Sequence, residues 1–143
     1  MFQLDERLEA DTCWLGDFPL CQLLLMCDAN YPWVILVPRR AGVTEIYQLP
    51  LQDQQQLMLE SSSVADTMMR LFSADKMNIA ALGNMVPQLH LHHIARFRGD
   101  PAWPKPVWGC VPSKHYDEVL LQERSEALKQ GFSNTNLHFD RRD

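Results

Sequence analysis

Leu4 and Leu8 stand four residues apart among Asp5, Glu6, Arg7 and Glu9, which is the spacing of one apolar stripe on a short helix ending before Thr12. Cys13-Trp14-Leu15 then reads as a short strand, Gly16-Asp17 as a tight turn, and Phe18 to Met26 as an apolar run of strand length, together a hairpin. Asp28-Ala29-Asn30-Tyr31-Pro32 has turn chemistry. Trp33 to Val37 is apolar and largely β-branched between two prolines, which predicts a buried central strand ending at Pro38, followed by an exposed connection over Arg39-Arg40-Ala41-Gly42.

The period then changes. Leu49-Pro50 opens a long helix, and Leu57, Ser61, Val64, Met68 and Leu71 recur at three- and four-residue spacing along its inner face. Met58, Met68 and Met69 are read as core packing of that helix. Ser73-Ala74-Asp75 stops it, Met77 to Leu82 predicts another strand, and Gly83-Asn84 turns into a fifth over Gln88 to Ile94. From Gly99 to Gly109 proline and tryptophan exclude regular structure, and Trp103 and Trp108 need a surface, either this chain's own sheet or a second protomer. Ser113 is the expected cap of a helix over Lys114 to Gln130 with Tyr116, Leu120, Leu121 and Leu128 inward, and Ser133 to Asp143 is expected to fray.

A chain of 143 residues with 46% hydrophobic positions suffices for one core and one domain. The formal charge of −5, with no basic run, offers no field for a nucleic-acid backbone. The first residues lack a basic start and apolar core, and no apolar run reaches membrane-spanning length, so a cytoplasmic location is expected, without membrane partners. Cys13, Cys21, Cys27 and Cys110 show no Cys-x-x-Cys spacing and read as small buried hydrophobes.

Candidate chemistry concentrates in Gln88-Leu89-His90-Leu91-His92-His93-Ile94. On a strand, Gln88, His90 and His92 would share one face at intervals of about 6.6 Å, while His93 would face the other way. Imidazole can attack phosphorus or move a proton near neutral pH, so His90 and His92 fit covalent nucleotidyl transfer. They equally fit a metal site completed by His93 with His115 or His138, or polar pleats with no chemistry. Spacing alone leaves all three open.

The order of elements narrows the choice. A short helix, a hairpin, a strand ending Leu36-Val37-Pro38-Arg39, a helix opened by Leu49-Pro50, a strand containing Asn78, and Val86-Pro87-Gln88-Leu89-His90-Leu91-His92 leading to Ile94-Ala95-Arg96 resemble the histidine triad (HIT) superfamily from about Leu4 to Pro104. Gln88 stands where that family has its first histidine. The resemblance implies an α+β fold, a five-stranded antiparallel sheet with one long helix and shorter N- and C-terminal helices, joined across a homodimer. It divides the chain into a HIT-like domain, 1–104, and a C-terminal arm and helix, 105–143, packed on it. It implies hydrolysis or transfer at the α-phosphate of a purine nucleotide or nucleotide conjugate, such as a phosphoramidate or dinucleoside polyphosphate, with no cofactor and no metal. By position, His90 matches the nucleophile, His92 the third histidine, and Gln88 an amide able to bind phosphate but unable to carry a proton. Asp28, with Asn30 as substitute, matches the ribose-binding position, and Asn84 a polar position near the phosphate. Trp33 stands where many members have a further histidine, and Met85 where a serine or threonine meets the leaving group. A nucleotide-binding or interaction protein of the same fold with little turnover is the alternative function.

Of the remaining residues, His93 is expected to be a hydrogen-bonded histidine under a helix or at a protomer boundary, with metal binding as its alternative. Arg96 and Arg98 are expected to face solvent, though either could add charge near a phosphate. Leu4, Leu8, Phe18 and Leu25 suit the walls of a purine pocket and the core equally well.

Overall fold

The computed structural model describes residues 1–141. Its elements are α1 (Glu6–Asp11), β1 (Thr12–Asp17), β2 (Cys21–Met26), β3 (Trp33–Pro38), a 3₁₀ turn (Ile46–Gln48), α2 (Leu51–Phe72), β4 (Lys76–Ala80), β5 (Leu91–Arg96) and α3 (Glu118–Ser133). The strands form one antiparallel sheet in the order β1-β2-β3-β5-β4. All six residues of β3 and all six of β5 are buried, as central strands covered on both faces must be.

Alternation sorts the sheet into two apolar layers. Leu23, Leu25, Val34, Leu36, Leu91 and Ala95 face α2 and α3, where Leu57, Val64, Met68, Leu128 and Phe132 meet them. Leu24, Trp33, Ile35, Val37 and Ile94 face the other way, onto Leu8 of α1 and onto Tyr31, Ala102 and Val107. Helix α2 buries Leu57, Ser61, Val64 and Met68 of its expected stripe, but the fifth member, Leu71, is exposed, as is Met58, so the methionine reading holds for Met68 and fails for Met58.

Several local expectations are corrected. Gly16-Asp17 is strand rather than turn: the register of β1 shifts between Trp14 and Gly16, and the chain reverses over 18–20. The cause is long-range. The buried Glu60 carboxylate of α2 accepts from Leu20 N at 2.8 Å and Cys21 N at 2.9 Å, fixing the reversal there. Glycine at 16 serves close approach, since a Cβ there would collide with the edge of the Phe139 ring and with the Asp140 carbonyl. The tail is correspondingly ordered as far as Asp140, which exchanges two backbone hydrogen bonds with Asp17, while Phe139 packs on Phe18 and Phe132. Residues 142 and 143 lie outside the described residues. Helix α3 starts four residues later than expected, capped by Asp117 on Leu120 N, because Lys114 is held extended: its N–H donates to Asp28 and its carbonyl accepts from Ala29 N. Cys21 is buried, but Cys27 and Cys110 are exposed. No helix among the described residues is long and apolar enough to cross a membrane.

Candidate functional site

Strand β5 begins at Leu91, so Gln88 and His90 lie on the connection that enters it, and the expected strand geometry holds only from there onward. The imidazoles of His90 and His92 still converge, with ring centroids 4.9 Å apart and planes at 73°. They open into a cleft of about 330 Å³. Its floor is Ile35 of β3, its α1 wall is Leu8 and Asp11, and the turn Leu82 to Val86 closes another side. Gly83 enables that turn by taking φ of +73°, which side chains with a Cβ disfavour.

Each histidine has its tautomer set by a neighbour of one-sided character. The Gln88 carbonyl can only accept, so His90 Nδ1 donates to it at 2.6 Å and His90 Nε2 keeps a free lone pair. The Trp33 indole can only donate, and Nε1–H reaches His92 Nδ1 at 3.0 Å, so the proton of a neutral His92 sits on Nε2. Burial, with His90 and His93 adding to it, pushes His92 down to about 3, which keeps it neutral at physiological pH. Trp108 packs edge-on against both Trp33 and His92, at 5.8 and 5.1 Å between centroids. The tryptophan arm thus folds onto this chain's own sheet.

His93 faces the opposite layer, under α2, as expected. Its Nδ1 donates to Leu91 O at 3.1 Å and its Nε2 accepts from Ser61 Oγ at 2.7 Å. Burial lowers it to about 4 against the opposing pull of that carbonyl. Among the described residues, no group of three or more His, Cys, Asp or Glu side chains is arranged to hold a metal ion.

These two buried histidines make stability pH-dependent. Their folded pKa values lie below the unfolded value of about 6.5, so the unfolded chain binds more protons from about pH 6.5 down to about 4 for His93 and about 3 for His92. Their contribution is complete above that window and is lost as pH falls through it, at about 1.4 kcal/mol per pH unit for each histidine. Urea midpoints measured from pH 7 to pH 5 should fall accordingly, and His93→Asn should roughly halve the slope. A flat profile would mean that neither histidine is held neutral.

Asn84 lines the cleft, as expected, and so do Met85 and Leu8. Asp28 and Asn30 are drawn into another arrangement. Asp28 Oδ1 accepts from Asn30 N and Lys114 N, Asn30 Nδ2 donates to Pro112 O, and neither residue lines the cleft. Gln88 turns its amide away: Oε1 accepts from Asp5 N and Nε2 donates to Gln3 O, both at 2.9 Å, fastening the N-terminal segment. Phe18 and Leu25 belong to the core on the other face. Arg96 is buried rather than solvent-facing. Asp11 and Trp108 were not foreseen as site residues, and Trp33 was foreseen only as a replaced histidine; an indole between strand residues gives no sign from sequence of which histidine it will meet.

A protein-family model described as HIT domain matches residues 7–99. A histidine triad protein from Marinobacter aquaeolei VT8 is 57% identical over 93% of this chain and 97% of its own, with a TM-score of 0.90. One from Bradyrhizobium japonicum is 48% identical over 91% and 97%, with a TM-score of 0.89. A hypothetical histidine triad nucleotide-binding protein from Sulfolobus tokodaii shares the fold at 14% identity, covering 88% of this chain and 87% of its own, with a TM-score of 0.66. No curated protein matches the chain significantly.

Proposed function

The chain belongs to the HIT-domain family, and from that premise we propose that it hydrolyses or transfers at the α-phosphate of a purine nucleotide conjugate through a nucleotidyl group carried on His90. One observation carries the reading: two adjacent imidazoles held in opposite roles, a lone pair on His90 Nε2 and a proton on His92 Nε2. The first is a nucleophile at phosphorus, and the second donates to a phosphoryl oxygen as negative charge gathers there. Gln88 contributes through its carbonyl, which orients His90 and stabilises the imidazolium formed when Nε2 is nucleotidylated. Asn84 is assigned to the phosphate. Asp11, the only carboxylate on the cleft wall among the described residues, is assigned to the sugar hydroxyls in the place expected of Asp28, with Leu8 and Met26 against the base.

A second reading, a nucleotide-binding protein with little turnover, draws support from the Gln88 amide, which is turned to the N-terminal segment, Oε1 accepting from Asp5 N and one Nε2 hydrogen donated to Gln3 O, and does not line the cleft. A second copy of the chain is assigned to the open edge of β4, where Ile79 is half exposed. A reducing cytoplasm suits four unpaired thiols.

The deciding experiment is intact-protein mass spectrometry after an acid-free quench, with diadenosine triphosphate as substrate and a chelator present. An adenylyl-sized increase that peptide mapping places on His90 is the expected result. Absence of both adduct and released AMP would leave only the binding reading.

A further inference from the structure

We infer that this cleft cannot protonate a leaving group, so its substrates are nucleoside 5′-phosphates in anhydride linkage to an oxygen that departs as a stable anion, such as carboxylate, sulfate or phosphate, and not phosphoramidates. The inference rests on the nucleotidyl-His90 reading and names the substrate class of that site.

Among the described residues, three titratable side chains line the cleft: His90, His92 and Asp11. His90 is consumed as the nucleophile, and its one proton is directed away from the cleft, to Gln88 O. His92 presents Nε2–H but cannot release it, because Trp33 already donates to Nδ1 and loss of the second proton would leave an imidazolate. Nor can it readily take a second proton, since Nδ1–H would then confront the indole N–H head on. His92 is therefore a fixed hydrogen-bond donor and not an acid. Met85, on the turn beside the histidines, offers a thioether with no proton. Gln88 is an amide bound at both ends. Asp11 lies on the α1 wall and is solvent-exposed.

The step balances without an acid when the leaving group is anionic. His90 Nε2 forms a bond to the α-phosphorus, the bond from phosphorus to the bridging oxygen breaks, and its electron pair leaves on that oxygen. Water then attacks phosphorus, the phosphorus–nitrogen bond returns its pair to Nε2, and one water proton passes to solvent. The products are the free anion, the nucleoside monophosphate and one proton. An amine has no such route: its nitrogen must be protonated before or during departure, and here only solvent can supply the proton.

The test compares adenosine 5′-phosphosulfate with adenosine 5′-phosphoramidate, both of which release AMP, on the wild-type protein. At pH 8 the phosphosulfate should have a kcat/KM higher by about 10²- to 10⁴-fold, the usual worth of a positioned general acid. The ratio of the two rates cancels titrations of the protein itself, and it should fall about tenfold for each unit that pH is lowered from 9 to 7, as solvent protonates the substrate nitrogen. A wild-type ratio below about tenfold, or one independent of pH, overturns the inference and leaves the nucleotidyl-histidine reading intact, including any proton supplied by Asp11. Release of AMP from neither compound overturns both.

Discussion

Replacing His90 by alanine should lower AMP release from diadenosine triphosphate by about 10⁴-fold or more, because the variant has no second nitrogen able to take the nucleophile's place. His92 stands 4.9 Å away, but its Nδ1 is occupied by Trp33 and its Nε2 carries the proton, so it offers no lone pair to phosphorus. AMP affinity should stay within about threefold, since the walls of the cleft come from α1, β3, the 82–86 turn and Trp108. Stability should fall by no more than about 1 kcal/mol, the cost of one hydrogen bond to a backbone carbonyl close to solvent. The three readouts separate the explanations: loss of turnover with binding and folding retained assigns the chemistry to His90. Turnover within tenfold of wild type would sink the covalent reading. Loss of binding together with turnover would make His90 a binding residue.

Much of this arrangement could be read from the chain, because local spacing controlled it. The apolar run of β3, the stripe of α2 and the histidines around Leu91 each carry a period that only one element satisfies, and the resemblance to the HIT family rested on their order. What could not be read depends on contacts made across the fold. Nothing near Gly16 signals that Glu60, more than forty residues later, caps the reversal after it, or that Phe139 needs the space of a missing Cβ. Asp28 matched a ribose position by sequence, yet the arm returns and takes its carboxylate at Lys114 N. Trp33 looked like the loss of a polar group. In the fold it supplies the N–H that decides the protonation of His92, which a tautomerising histidine in its place would leave free to vary.

Arg96 was expected in solvent, and its burial leads to the largest stability effect expected of a single substitution. Its guanidinium donates to both Asp100 oxygens, at 2.7 and 3.1 Å, and to Asn78 Oδ1 at 2.7 Å, and lies over the Tyr31 and Trp103 rings. Burial alone would raise the Asp100 carboxyl. The Arg96 guanidinium and the N–H groups of Phe97, Trp103 and Ala102 outweigh it and hold the group at about 2. Because that folded value lies below the unfolded one, the stabilisation is present above about pH 4 and is lost as pH falls toward 2, below the window of His93 and overlapping only the acid end of that of His92.

Asp100→Ala would leave a buried cation without its counter-ion, and should cost about 3–5 kcal/mol, or about 10–17 °C in Tm for a domain of this size. Arg96→Met with Asp100→Leu should recover much of that loss, since two apolar residues leave no charge to solvate. A single variant within 1 kcal/mol of wild type would show that the pair does not anchor the fold. The effect should also reach the cleft. The Asp100 turn starts the arm that buries Ala102 and Val107 and sets Trp108 against His92, so releasing the turn frees one wall of the site while leaving His90 in place. Near neutral pH, below the melting range, Asp100→Ala should therefore raise KM more than it lowers kcat, the opposite of the His90→Ala pattern. An equal fall in both would mean that the arm positions the reacting imidazoles as well as the substrate.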